Sequence, residues 1–178
     1  MRVPPHTKAP HGLRRALLIA VAGVGGLVTW PARARADGEV PVNWPELAVE
    51  RIFTLRAPPG TRFVSRTGVD SRVGTIVGPG FTLELDYGAY SDRFDDLTPY
   101  DQVSASAIDI GGKVGRLVRG RHKKPAGGND YFIGLYVPAV APGTPGPLSL
   151  TLTATVRRRA SADLLVRMFG TIYFRIGA

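Results

Sequence analysis

Five aspartates stand close together in this 178-residue chain, and their carboxylates are the groups best suited to metal binding or acid–base chemistry. They are Asp86, Asp92, Asp95, Asp96 and Asp101. Calcium takes about six to eight oxygen ligands, so a loop that carries Asp86, Asp92, Asp95 and Asp96 is a candidate calcium site. The spacing lacks the terminal glutamate of the helix-loop-helix calcium signature. A solvated loop that keeps the protein soluble explains the same acids, and both interpretations stay open.

The same acids suit a second kind of chemistry, general acid–base catalysis by a pair of carboxylates. Glycosidases place two such groups on either side of the bond that they cleave. Glu84 or Asp86, paired with an aspartate from the Asp86–Asp101 stretch, is a candidate set of this kind. A small hydrolase or carbohydrate-active enzyme is therefore the alternative function that the sequence supports.

The chain has three histidines and no cysteine, so few residues are available for catalysis or metal binding by these two residue types. His6 and His11 lie in an amino-terminal segment that we expect to be removed. The third, His122, stands between Arg121 and Lys123, where neighbouring cations disfavour a further positive charge. We interpret it as an exposed loop residue. A Ser-His-acid triad and a zinc site of histidines or cysteines are both disfavoured.

Basic side chains form a second cluster, which is a candidate contact for an anion or for a partner protein. Its members are Arg119, Arg121, Lys123 and Lys124. Arginine offers paired donors to phosphate or carboxylate, so an anionic lipid head group, a cell-envelope polymer or an acidic protein is the expected partner. A solvated charge run explains the same residues, because no aromatic residue is interleaved with them.

Residues 1–36 have the pattern of an export signal. Basic residues near the start precede an apolar run from Ala16 to Val28, and Ala34-Arg35-Ala36 follows. This order predicts a signal peptide that is cleaved after Ala36, because the run is shorter than the roughly 20 residues that cross a bilayer. Arg14-Arg15 also matches part of the twin-arginine export motif. We therefore expect a periplasmic or secreted protein without a transmembrane span after processing.

Removal of the signal changes the charge balance of the chain. The full sequence has 23 basic and 14 acidic residues, a net charge of +9, whereas residues 37–178 have 17 basic and 14 acidic residues, a net charge of +3. Nucleic-acid binding needs a dense basic face, so no nucleic-acid partner is expected. Without cysteines, stability must come from a hydrophobic core. No cofactor is predicted other than the calcium hypothesis above.

The apolar pattern predicts strands for most of the mature chain. Phe81 to Tyr90 alternates apolar and polar residues and is expected at the centre of a sheet, and Leu148 to Val156 alternates over its whole length. Gly111-Gly112 predicts a hairpin turn. The residues from Ser91 to Asp101 and from Gly120 to Asp130 are predicted to be loops.

The carboxyl-terminal part of the chain adds a helix to these strands. Ser161 is expected to cap a short helix that Gly170 ends, and a last strand follows. The elements together predict an α+β fold, a largely antiparallel sheet with one or two helices packed on it. We expect an amino-terminal arm at residues 37–46 and a single domain at residues 47–178.

The order of these elements resembles a known family. Phe53 to Gly60 reads FTLRAPPG, a hairpin follows, and the chain closes with a strand, a short helix and Ile172-Tyr173-Phe174. In this order the chain resembles the PsbP-like family of small exported or lumenal domains. The resemblance covers most of the mature chain as a pattern of elements and implies no site residue. The polar loop after Asp86 and the basic loop after Gly120 depart from it.

Members of that family in photosynthetic membranes are accessory, non-catalytic subunits, so the resemblance implies assistance to another protein complex. With no catalytic set evident in the sequence, we expect an exported, non-enzymatic accessory or binding module of the bacterial cell envelope. Its expected partner is a protein or an anionic envelope component. The sequence does not specify an oligomeric state.

Overall fold

The computed structural model describes residues 39–175, apart from the side chain of Ala126. The predicted signal peptide and its cleavage position after Ala36 lie outside the described residues, as does Ile176 of the predicted last strand. Within the described part, ten strands and one helix follow one another. They are β1 (Glu46–Val49), β2 (Phe53–Arg56), β3 (Arg62–Arg66), β4 (Arg72–Gly78), β5 (Phe81–Gly88), β6 (Tyr100–Ile110), β7 (Lys113–Ala126), β8 (Asn129–Ala141), β9 (Leu148–Val156), α1 (Arg159–Phe169) and β10 (Tyr173–Phe174).

The strands form two antiparallel sheets. The large sheet has the order β3-β4-β5-β9-β8-β7-β6, and the small sheet has the order β1-β2-β10. Strands β3 to β5 follow one another in sequence as neighbours, and so do β6 to β8. The later strand β9 lies between these two groups and pairs with β5 and β8. The predicted strand at Phe81 is therefore inside the sheet, next to its middle strand.

A row of leucines crosses the inner face of the large sheet. Leu85, Leu152, Leu135 and Leu117 pair in register across four strands and are almost completely buried. Helix α1 and the small sheet contribute to the same core. Burial of one leucine side chain stabilises the fold by about 1.5–3 kcal/mol. Because side chains alternate along a strand, the residues between these leucines point to the opposite, outer face of the sheet.

The predicted α+β class is wrong, because the fold is essentially all-β with a single short helix in the described residues. One cause is the segment from Gly120 to Asp130, which was predicted to be a loop. It continues β7 and begins β8, and Gly127 and Gly128, with φ of 60° and 73°, lie at the turn. This part of the hairpin is exposed for much of its length, so its residues show no apolar alternation.

The structure confirms other predicted elements and corrects the predicted start of the helix. Strand β9 has the predicted bounds, and Gly111-Gly112 forms the predicted hairpin turn, with Ile110 paired to Lys113. Helix α1 begins at Arg159, and the residue before it makes no side-chain cap hydrogen bond. The predicted cap at Ser161 is therefore wrong, since that residue lies in the first helical turn. Residues 39–175 contain no helix with the length and apolar character needed to cross a bilayer.

Candidate functional site

The connection between β5 and β6, residues 89–99, crosses the outer face of the large sheet, and we call it the strap. Its two ends are four strand positions apart in the sheet order, which corresponds to about 19 Å at roughly 4.8 Å per strand. The strap passes over β9, β8 and β7 on the way, and contacts outward-pointing residues of all three. It corresponds to the loop predicted from Ser91 to Asp101, except that Tyr100 and Asp101 already belong to β6, and it has no regular secondary structure from residue 91 to residue 97.

A buried ring fastens the middle of the strap to the sheet. Phe94 is 3% exposed and packs with Val118 and Phe132 in a small second core, edge-on to the Phe132 ring. Its backbone has a φ of 60°, a left-handed conformation that is unfavourable for a residue with a side chain. Burial of the ring compensates for this conformation, and the strap is held in one position as a result.

The side chains of three residues attach the strap to the sheet by hydrogen bonds. The Ser91 hydroxyl accepts a hydrogen bond from the Gly88 amide at 3.0 Å and lies 3.1 Å from the Ser149 carbonyl, to which it donates. The Thr151 hydroxyl donates to the Asp92 carbonyl at 2.7 Å. Arg116 donates from Nη1 to the carbonyl of Arg93 at 3.2 Å. These polar contacts and the Phe94 ring give the strap anchors along its first half.

A concave groove of about 470 Å³ lies beside the strap on the outer face. Carboxylates, aromatic rings and threonine hydroxyls line it, and none of the described residues in its lining is basic. The lining residues are Thr82, Glu84, Asp92, Phe94, Asp96, Tyr100, Phe132, Thr153, Ala154 and Thr155. The groove combines an apolar wall with hydrogen-bond acceptors, the usual composition of a ligand site.

The apolar wall of the groove is a set of stacked rings. Tyr100 stacks on Phe132 with centroids 4.2 Å apart, and the His122 ring lies 4.7 Å from the Tyr100 ring. His122 Nε2 is 3.0 Å from the Thr155 hydroxyl. Burial raises the pKa of the Tyr100 phenol, and the negative charge of Asp92 raises it further. The phenol therefore keeps its proton and can donate a hydrogen bond.

The three carboxylates of the groove have different surroundings. Glu84 forms an ion pair with Arg66 at 3.3 Å, with both side chains about half exposed. Asp92 accepts a hydrogen bond from the Phe94 amide at 2.7 Å. The hydrogen bonds that Asp96 accepts from Thr98 lower the pKa of its carboxyl group. The carboxylate of Asp96 is therefore ionised at neutral pH.

The structure separates the aspartates that were candidate calcium ligands. Asp92 and Asp96 line the groove, whereas Asp86 lies on β5 with one carboxylate oxygen buried and without a hydrogen-bond partner among the described residues. Asp95 is 3.5 Å from Arg116 and lines a different hollow. Asp101 is 3.8 Å from Lys123. Within residues 39–175, no three histidine, cysteine or acidic residues are grouped in a way that could hold a metal ion.

The four candidate basic residues have separate environments on and around the β7–β8 hairpin. Arg121 pairs with Asp130 and lies over the Tyr131 ring, 5.2 Å from its centroid. The hydrogen bond to Asp130 raises the pKa of the Arg121 guanidinium. Lys123 is near Asp101, Lys124 is exposed, and Arg119 lies beside α1. They do not form one continuous patch of unpaired charge.

Sequence reasoning missed several residues of the groove. Tyr100 and Phe132 were not proposed as site residues, and His122, expected in an exposed loop, lies half-buried on β7 against Tyr100. The sequence did contain one indication of the groove. It is the row of outward-pointing threonines on β9, which includes Thr153 and Thr155. This row pairs with outward residues of β5, among them Glu84. Two polar rows on adjacent strands indicate an outer face, but they do not reveal what covers it.

Comparison with family models, with curated proteins and with solved structures gives no match for this chain. The resemblance to the PsbP-like family stays a hypothesis that rests on the order of elements. The function must therefore be argued from the geometry of the groove and of the surrounding surface.

Proposed function

We propose that this protein is an exported, non-enzymatic binding module of the bacterial cell envelope that holds a small organic cation in the groove beside the strap. The observation that carries this proposal is the lining of the groove, which has three carboxylates, Glu84, Asp92 and Asp96, and no basic side chain among its described residues. The rest of the mature sequence has an excess of positive charge. The groove is thus a local negative region on a basic protein.

The chemistry of the groove suits a ligand that donates hydrogen bonds. Carboxylates accept hydrogen bonds only, and hydrogen bonds between charged groups are about twice as strong as neutral ones. An ammonium group would use the carboxylate oxygens that face the groove, and the methylene groups of such a ligand would pack on the half-buried ring of Tyr100. The hydroxyls of Thr153 and Thr155 add adaptable partners on the floor of the groove.

A binding role fits the carboxylates better than acid catalysis does. The general acid of a glycosidase needs a raised pKa, whereas the pKa of Asp96 is lowered by its hydrogen bonds to Thr98. Glu84 is engaged by the guanidinium of Arg66. A hydrolase that pairs Glu84 with Asp92 is the second candidate, because both carboxylates line one groove.

The ligand proposal is tested by calorimetric titration of the mature chain with spermidine at low ionic strength. Asp92→Asn should weaken binding about tenfold, the usual effect of losing one charge-assisted hydrogen bond. Asp70→Asn is the matched control, since Asp70 is exposed between β3 and β4 and should leave affinity unchanged. Absence of spermidine binding, or equal affinity for the wild-type chain and Asp92→Asn, would contradict the proposal.

The enzymatic alternative and the export prediction have separate measurements. Release of reducing ends from a panel of neutral oligosaccharides, abolished by Glu84→Gln, would favour the hydrolase.

For export, the intact mass of the protein recovered from the envelope fraction should correspond to a chain that begins at Asp37. A mass that includes residues 1–36 would contradict cleavage after Ala36.

A further inference from the structure

A second concave region lies between β7 and α1, at the edge of the inner face of the large sheet. It has a volume of about 450 Å³ and is lined by Arg119, Ala160, Asp163, Val166 and Arg167, and we call it the arginine hollow. We propose that Arg119 and Arg167 bind a phosphate group there. This site is independent of the groove beside the strap, which lies on the opposite face of the sheet.

Arg119 on β7 and Arg167 on α1 reach the arginine hollow from different secondary-structure elements. Ala160, Asp163 and Arg167 are spaced three and four residues apart on α1, so they share one flank of the helix. Arg119 pairs with Ile133 of β8, whose side chain is completely buried on the inner face. Arg119 is therefore on the side of the sheet that α1 covers. A strand and a helix each contribute one arginine to the same hollow.

Neither arginine has a side-chain partner within residues 39–175. The Nε atoms of Arg119 and Arg167 are buried and make no hydrogen bond with the described residues. None of residues 39–175 forms an ion pair or a side-chain hydrogen bond with either guanidinium, whereas the neighbouring Arg121 is paired with Asp130. Partial burial of a guanidinium without a compensating acceptor is unfavourable. An anion in the hollow would supply that acceptor.

The surroundings of the hollow are basic on balance. An adjoining hollow of about 320 Å³ shares Arg119 and Asp163 with it and is also lined by Arg121 and Arg159. Asp163 is exposed and is the one acidic residue among the described residues that line the two hollows. An incoming anion therefore meets four arginines, of which Arg121 is already neutralised, and one opposing carboxylate.

The arrangement suits phosphate better than carboxylate. One guanidinium fork engages both oxygens of a planar carboxylate, whereas a tetrahedral phosphate offers further oxygens to a second arginine that approaches from another direction. The Nη groups of Arg119 and Arg167 extend from a strand and from a helix. The phosphate is either free in solution or part of a lipid head group, and the experiment separates these two sources.

The first measurement is titration of the mature chain with inorganic phosphate at low ionic strength, by calorimetry. Arg167→Gln should weaken binding about tenfold, as expected for loss of one charge-assisted contact. The matched control is Arg62→Gln, which removes an exposed arginine from the opposite edge of the sheet and should not change the affinity. Circular dichroism and the thermal midpoint confirm that each variant is folded.

A second variant tests the same site through an expected gain in phosphate affinity. Asp163→Asn removes the opposing carboxylate from an exposed helical position and should strengthen phosphate binding about threefold or more, the effect of relieving one repulsive charge pair near the surface. Weaker binding by Asp163→Asn, or an equal loss of affinity in Arg167→Gln and Arg62→Gln, overturns the proposal.

Vesicles distinguish the two sources of phosphate. Sedimentation with phosphatidylglycerol vesicles, but not with phosphatidylcholine vesicles, and reduced sedimentation of Arg167→Gln assign the site to a lipid head group. Binding of inorganic phosphate without vesicle sedimentation assigns it to free phosphate. If the wild-type chain binds neither, the arginine hollow is not a phosphate site. Absence of phosphate binding would leave spermidine binding in the groove beside the strap unaffected, so the two proposals can fail separately.

Discussion

The ring of Phe94 lies directly against the backbone of Gly134. A methyl group built on Gly134 would come within 2.6 Å of Phe94 Cζ, closer than two carbon atoms can approach without displacement. Gly134 is the residue of β8 that pairs with Val118 and Thr153 in the neighbouring strands. The absence of a side chain at this one position of the outer face makes room for the strap.

Gly134→Ala should therefore force Phe94 out of its site and loosen the strap. We expect a loss of about 1–3 kcal/mol in the free energy of unfolding, the usual cost of overpacking a filled site. Urea unfolding monitored by circular dichroism measures it. The expected secondary consequence is weaker spermidine binding, since the displaced ring lines the groove.

The control for this substitution is Gly146→Ala. Gly146 lies in the loop between β8 and β9, has no atom within 4 Å of an added methyl group and does not have a positive φ. Its free energy of unfolding should change by no more than about 0.5 kcal/mol. Equal effects at the two glycines would show that contact with Phe94 does not explain the result.

Thr151→Val should release the strap near Asp92. The substitution keeps the shape of the side chain and removes the hydroxyl that donates to the Asp92 carbonyl at 2.7 Å. Loss of one such hydrogen bond costs about 1 kcal/mol in the free energy of unfolding. Amide hydrogen exchange at Phe94 should become faster in parallel.

Thr153→Val is the matched variant, because Thr153 points to the same face of β9 and its hydroxyl makes no hydrogen bond with the described residues. Its stability and the exchange rate at Phe94 should stay close to the wild-type values. Unchanged exchange in Thr151→Val would contradict a role for this hydrogen bond in holding the strap.

The alkaline limit of stability should depend on Tyr100. Burial and the Asp92 carboxylate raise its pKa in the folded protein above the usual value near 10. The folded state therefore holds a proton that the unfolded state loses first. This contribution to stability is fully present below about pH 10 and is lost as the pH rises through the pKa of the folded state.

Tyr100→Phe removes this titration, so its stability should decline less between about pH 9 and pH 12. Tyr87, whose pKa is also raised by burial although Arg72 lowers it, contributes a decline of the same sign in both proteins. Unfolding midpoints in urea across this pH range provide the measurement. The exposed Tyr173 gives the comparison, and Tyr173→Phe should follow the wild-type curve. A Tyr100→Phe curve that also follows it would falsify the prediction.

The strands were predictable where one face is buried and the other is not. Phe81, Leu83 and Leu85 point into the core while Thr82 and Glu84 point outward, so the sequence of β5 alternates. The sequence of β9 alternates in the same way, although Ser149 and Thr151 on its outer face are buried. The tip of the β7–β8 hairpin was not predictable in this way, because its residues extend beyond the core and both faces meet water.

The groove was only partly predictable, for a different physical reason. Asp92 and Asp96 were proposed as site residues and both line it, since polar loops commonly carry acids to a surface. The position of the strap depends on the contact of Phe94 with Gly134, forty residues further along the chain. No local periodicity encodes such a contact, and so the aromatic wall at Tyr100 and Phe132 was not foreseen.

The place of β9 between two groups of sequential strands has a consequence for the protein as it is being made. Without residues 148–156, the strands β5 and β8 lack the neighbour that each of them has in the complete sheet, and each would present an unpaired edge. Such edges pair readily with other chains. A protein that is cut or terminated before Leu148 should therefore accumulate as insoluble aggregate, because β9 is the strand that joins the two groups into one sheet.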